Sequence, residues 1–251
     1  MSTPLSQFPK PDALQYQGQR KLYLIPIFMM APNAPGEVQE LLERYWTDVR
    51  DHVQNLEISL GTVSHVYHET IFIGNDQGLK MLEDLNPKGC SFIQAMCSTY
   101  AKLEATEDIT LVQESSDWQR IMSIGLMSQK VLQTAMEESR ESNKKRYQYI
   151  GSQIDQTLKE NESGALFVRE DHQIQFPSDI RVFYVAPPSL DVLKRWISDQ
   201  IRAANQSPTP SETTVETPEE TEKITDEPGK STKAHQSNAP SAEEQEELSE
   251  A

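Results

Sequence analysis

The chain is poor in cysteine, in cationic side chains and in long apolar runs. Two cysteines occur among its 251 residues, Cys90 and Cys97. On one helix they stand roughly 10 Å apart along the axis, too far for a disulfide. Unpaired thiols point to a reducing compartment, and the cytoplasm is the expected location. Lysine and arginine number 23 against 39 acidic residues, for a formal net charge of −16. Binding to a phosphate backbone needs a basic footprint. The one basic cluster, Lys144-Lys145-Arg146, reads as a solvated helix face, so no nucleic-acid partner is expected. No apolar run approaches the roughly 20 residues of a membrane span, so no membrane association is expected either. The opening residues, MSTPLSQFPKPDALQYQ, lack a charged-then-apolar layout, and no signal peptide is expected there.

Aromatic residues are absent from Gln206 to Ala251, where Pro, Ser, Thr and Glu dominate. This tail carries 12 acidic residues and 3 lysines, a net −9, leaving −7 for residues 1–205. It has too little apolar surface to offset its ordering entropy. The expectation is a disordered acidic tail over 206–251 that keeps the domain soluble, engages a protein partner with a basic surface, or serves as a spacer with no partner. Residues 1–20, with Pro4, Pro9 and Pro11, read as an extended arm. Residues 21–205 suffice for one sizeable domain.

The densest β-pattern is Gly164 to Pro188. Ala165 to Val168 is a short apolar run that ends in Arg169-Glu170-Asp171-His172. A turn at Pro177-Ser178-Asp179 precedes a second run, Ile180 to Val185. Both runs are bounded by breakers, as buried strands are. Leu22 to Ile27 is a third strand, with Pro26 placing it near an edge or breaking it. Thr62 to Ile73 is β-branched and aromatic and holds one strand or two. Lys102 to Thr106 is a brief one.

Helical spacing covers Glu37 to Leu60, Gln77 to Leu85, Cys90 to Ala101, Ile109 to Arg120, Ser128 to Lys159 and Leu190 to Ala203. Ile121 to Met127 is apolar enough for core. Alternating strands and helices predict an α/β domain with a mostly parallel sheet of four to six strands covered by helices. The short link between the last two strands suggests a hairpin and hence a mixed sheet.

No phosphate-binding glycine loop, zinc-finger spacing, HExxH or nucleophile elbow is present, and no cofactor is identified. In open α/β sheets, ligands gather at the carboxyl ends of strands. There the chain offers Asp171, His172 and Glu107 as candidate catalytic groups, and His172, Asp171 and Glu104 as candidate metal ligands. Histidine titrates near neutrality and a carboxylate can orient it. His65 and His68 point to opposite faces of a strand and make a poor metal pair.

Tyr149-Ile150, Thr157-Leu158-Lys159-Glu160, Glu162, Gly164, Leu166-Phe167, His172, Pro177, Asp179-Ile180 and Val182 follow one another in a recognisable order. The stretch resembles a broad prokaryotic family of unassigned function, loosely similar to the TraB-like metal-dependent hydrolases. That resemblance implies the fold and an ancestral metal site. The family shows a histidine after the first strand, where this chain has Met29 and Met30. It also shows a glycine three residues before the late histidine, where this chain has Arg169. Two functional expectations follow. One is a non-catalytic interaction protein with a depleted site. The other is a metal-dependent hydrolase with its site at the strand ends around His172.

Overall fold

The computed structural model describes residues 16–28 and 34–206. The arm expected over 1–20 lies outside these up to residue 15, as does the acidic tail beyond residue 206. Strands β1 (Arg20–Pro26), β2 (Val63–His68), β3 (Lys102–Leu103), β4 (Ser163–Val168) and β5 (Ile180–Tyr184) form one sheet in the order β3-β2-β4-β1-β5. Helices α1 (Gly36–Leu60), α2 (Asn75–Leu85), α3 (Pro87–Thr99), α4 (Ile109–Ser123), α5 (Gln129–Thr157) and α6 (Pro188–Gln206) surround it. The α/β class and the strand number are as the patterning predicts.

Every pairing is parallel. The hairpin expected between the last two strands is absent, because β1 lies between β4 and β5. The 11 residues from Arg169 to Asp179 therefore form a crossover rather than a turn. Ile174 and Phe176 in that crossover pack against the sheet as a short helix would. Pro26 sits at the last position of a central strand. Ile27 N–H bonds the Val168 carbonyl, so residue 26 turns its backbone towards β5. There β5 has already ended, and the missing donor costs no ladder bond. The Pro26 carbonyl instead accepts the Tyr45 hydroxyl at 2.6 Å.

Side chains alternate across the sheet. Tyr23, Ile25, Val66 and Phe167 join Val38, Tyr45, Val49, Phe92, Ile93, Leu190 and Leu193 under α1, α3 and α6. Leu22, Leu24, Tyr67, Leu166 and Val168 meet Tyr147, Ile150 and Ile154 of α5 on the other face. Only the second half of α5 covers the sheet. Its first half pairs with α4 across a seam of small buried residues, Ser115, Ala135, Ser139 and Ser142. The Asp108 carboxylate caps α4 by accepting the Thr110 and Leu111 N–H groups, which satisfies two of its open first-turn donors. Ile121–Met127, expected in the core, instead form the end of α4 and the turn into α5, where Ile124 and Met127 are exposed. A two-helix arm has no third layer to cover them. No described helix is long and apolar enough to cross a membrane.

Candidate functional site

Three parallel strands bring ionisable residues to one edge. The chain leaves β2 through His68-Glu69-Thr70, β3 through Glu104 to Glu107, and β4 through Arg169. Glu69 and Glu107 are each 1% exposed in their side chains. A buried carboxylate persists only if paired and hydrogen-bonded. Arg146, projecting from α5, supplies the pair for Glu107. Its Nε donates to Oε2 at 2.8 Å and its Nη2 to Oε1 at 2.6 Å. Arg169 does the same for Glu69, its Nε at 2.9 Å and its Nη2 at 2.7 Å from Oε1. The Arg169 backbone N–H holds the other Glu69 oxygen at 2.9 Å. Arg146 Nη2 also lies 3.6 Å from Glu69, joining the two pairs. Burial works against the charge on Arg146 and Arg169, but the bonds to Glu107 and Glu69 more than offset it, and both pKa values stand raised.

The backbone is strained around this network. Thr70 has φ 76°, the left-handed region that a β-branched residue rarely adopts. Its N–H donates to Glu107 Oε1 at 2.7 Å. The Thr106 and Glu107 N–H groups both bond the Ile71 carbonyl. Glu107 thus fixes the loop after β2 as well as pairing with Arg146.

His68 lies on the opposite face, fully buried and stacked on Phe167 with ring centroids 6.0 Å apart. Nδ1 meets the Glu69 carbonyl, so that nitrogen carries the proton. Nε2 then has a lone pair with no hydrogen-bond partner among the described residues. Burial pushes this imidazole down to about 4, with the contact to the Glu69 carbonyl opposing.

His172 and Asp171 lie in the crossover after β4. His172 is half-buried, with its ring edge-on to Phe176 at 6.1 Å. Its Nδ1 accepts the Ile174 N–H at 3.3 Å. Burial lowers its pKa, and the charges of Glu69 and Asp171 partly oppose that. Glu104, the third candidate ligand, is used elsewhere. It pairs with His65 Nδ1 at 2.9 Å and with Lys102 at 2.8 Å. Among the described residues, no three His, Cys, Asp or Glu side chains stand close enough to hold a metal ion. The donors present therefore do not fit the metal centre that the resemblance implies.

The structure brings Arg169, Asp171 and His172 to a concave surface, while the Glu170 carboxylate turns to Tyr184 and Lys194. Two hollows lie along α5, sharing Tyr147 and Gln173 as walls. The larger, about 830 Å³, runs between α5 and residues 172–177 and includes His172. The smaller, about 360 Å³, lies under the α4–α5 arm and is lined by Met122, Met136, Arg140, Asn143, Arg169 and Asp171, among others. Gly151 lets the crossover approach α5, since a Cβ there would lie 2.9 Å from the Gln175 carbonyl oxygen.

By composition Arg146 belongs to a solvated cluster. Yet it stands four and eight residues before Ile150 and Ile154, on the same stripe, and that spacing was the available signal. Arg140 carried no such mark. Comparison of the chain with protein-family models, with curated proteins and with solved structures yields no match.

Proposed function

We propose that the protein is a non-catalytic binding protein whose ligand occupies the hollow between the α4–α5 arm and the crossover after β4. One observation carries this reading. The oxygens of Glu69 and Glu107 are taken up by Arg169, Arg146 and backbone N–H groups. Neither carboxylate is placed to act as a base or to bind a metal.

What faces the hollow is guanidinium and amide chemistry. Arg169 remains 35% exposed while it holds Glu69, and Arg140 stands on the same wall beside Asn143. Guanidinium groups recognise planar or clustered anionic oxygens by paired N–H bonds. The ligand class that fits is a molecule bearing a carboxylate or phosphate. Asp171 on the rim favours a hydroxyl or ammonium donor next to that anionic group. Met122 and Met136 offer an adaptable apolar wall.

Calorimetric titration with inorganic phosphate tests the reading, alongside metal analysis of the purified protein. The expected result is saturable phosphate binding that Arg140→Gln weakens, with metal content unchanged by His172→Ala. One equivalent of bound metal that is lost on His172→Ala would favour the hydrolase reading instead.

A further inference from the structure

The sheet ends on one side in β3, two residues long, and on the other in β5, five residues long. Short edge strands are one way in which proteins avoid pairing with other chains. β5 lacks that protection. Among the described residues it borders β1 and no other strand, and Val182 and Tyr184 are 41% and 45% exposed.

The direction of its backbone groups follows from the ladder. Val185 N–H bonds the Leu24 carbonyl. Residues 181, 183 and 185 therefore face β1, and Ile180, Val182 and Tyr184 turn their N–H and C=O groups outward. The Ile180 N–H is used by the Pro177 carbonyl. That leaves the Ile180 C=O and both groups of Val182 and Tyr184 along the open edge. A row of such groups is a template for another strand.

We infer that the occupant is β5 of a second copy, antiparallel about a two-fold axis through Val182. The register is self-complementary. Val182 N–H meets the partner's Val182 C=O in both directions, and Tyr184 N–H meets the partner's Ile180 C=O in both directions. These four bonds avoid the Ile180 N–H, which is already satisfied. Side chains on one face place Val182 on Val182 and Ile180 on Tyr184. On the other face Arg181, whose Nε donates to Gln19 Oε1 at 2.8 Å, lies opposite Phe183, whose ring already meets Tyr16 edge-on at 5.1 Å. No like charges stand directly opposite, the arrangement that weakens cross-strand pairs. An axis through Val182 is the closed, isologous symmetry of most dimers, and it makes one ten-stranded sheet from two five-stranded ones.

The test uses the full chain. Sedimentation across a concentration series is expected to show a dimer. Val182→Arg sets two cations opposite each other and should raise the dissociation constant at least tenfold. Val182→Cys should give an intermolecular disulfide on mild oxidation, because directly opposed residues of a hydrogen-bonded pair lie about 5.5 Å apart. Arg181→Cys, displaced from its own symmetry mate, should not. Cys90 is buried and Cys97 half-buried, so wild type serves as the background. A monomer at all concentrations would overturn the inference. So would a dimer that Val182→Arg leaves intact and Val182→Cys does not cross-link. A monomer with Val182 and Tyr184 amides protected from exchange would mean that the edge is filled from within the chain, and would overturn it as well.

Discussion

Arg146 reaches from the middle of α5 to grip both oxygens of Glu107, at 2.8 and 2.6 Å, in a pair whose side chains are 4% and 1% exposed. Removing one partner of such a pair leaves an uncompensated buried charge, at about 3–5 kcal/mol. Arg146→Ala should lower the stability measured by urea unfolding by that amount. The double variant Arg146→Met with Glu107→Gln should recover part of the loss, because the buried charge is then gone. A single-variant loss under about 1 kcal/mol, the range of exposed ion pairs, would mean that the network is solvated.

His68 gives stability a pH dependence of definite sign. Burial holds the imidazole neutral, so the folded chain binds its proton less well than the unfolded one does. The contribution is whole above the ordinary value of 6.5 and is lost as pH falls towards about 4. That shift corresponds to about 3 kcal/mol. Unfolding measured between pH 7 and 4 should therefore be steeper for the wild type than for His68→Phe. Equal slopes would show that His68 does not titrate in this window.

The fold was legible where apolar periodicity was strong. Val38 to Val53 on α1 and Ala165 to Val168 on β4 stand where their spacing places them. The path between β4 and β5 was not legible. A short link looks like a hairpin unless one knows that β1 takes the place between them, and this is a tertiary fact. The site was half legible. Breakers and ionisable residues mark the 169–172 stretch, and Arg169, Asp171 and His172 of it border the hollows. The partner of Glu107 was hidden, because Arg146 sits in a run of polar residues where only its register with Ile150 distinguishes it. Asp171–His172 adjacency suggested chemistry, but the crossover turns His172 towards Phe176.

Gly151 and Gly36 should respond oppositely to alanine. A Cβ at 151 meets the Gln175 carbonyl oxygen at 2.9 Å, and one at 36 meets nothing within 4 Å. Gly151→Ala should cost about 1–3 kcal/mol through displacement of the crossover. Gly36→Ala should be neutral or stabilise by up to about 1 kcal/mol. Thermal unfolding of the two variants checks this. A neutral Gly151→Ala would show that residues 172–177 move away from α5 at little cost.

The hollow itself is tested most directly by side-chain NMR, following arginine Nε–H and histidine ring signals through separate additions of inorganic phosphate and of zinc. Saturable phosphate shifts are expected at Arg140 and Arg169, with His172 unmoved by one equivalent of zinc. Stoichiometric zinc shifts at His172, with the two arginines indifferent to phosphate, would contradict this reading.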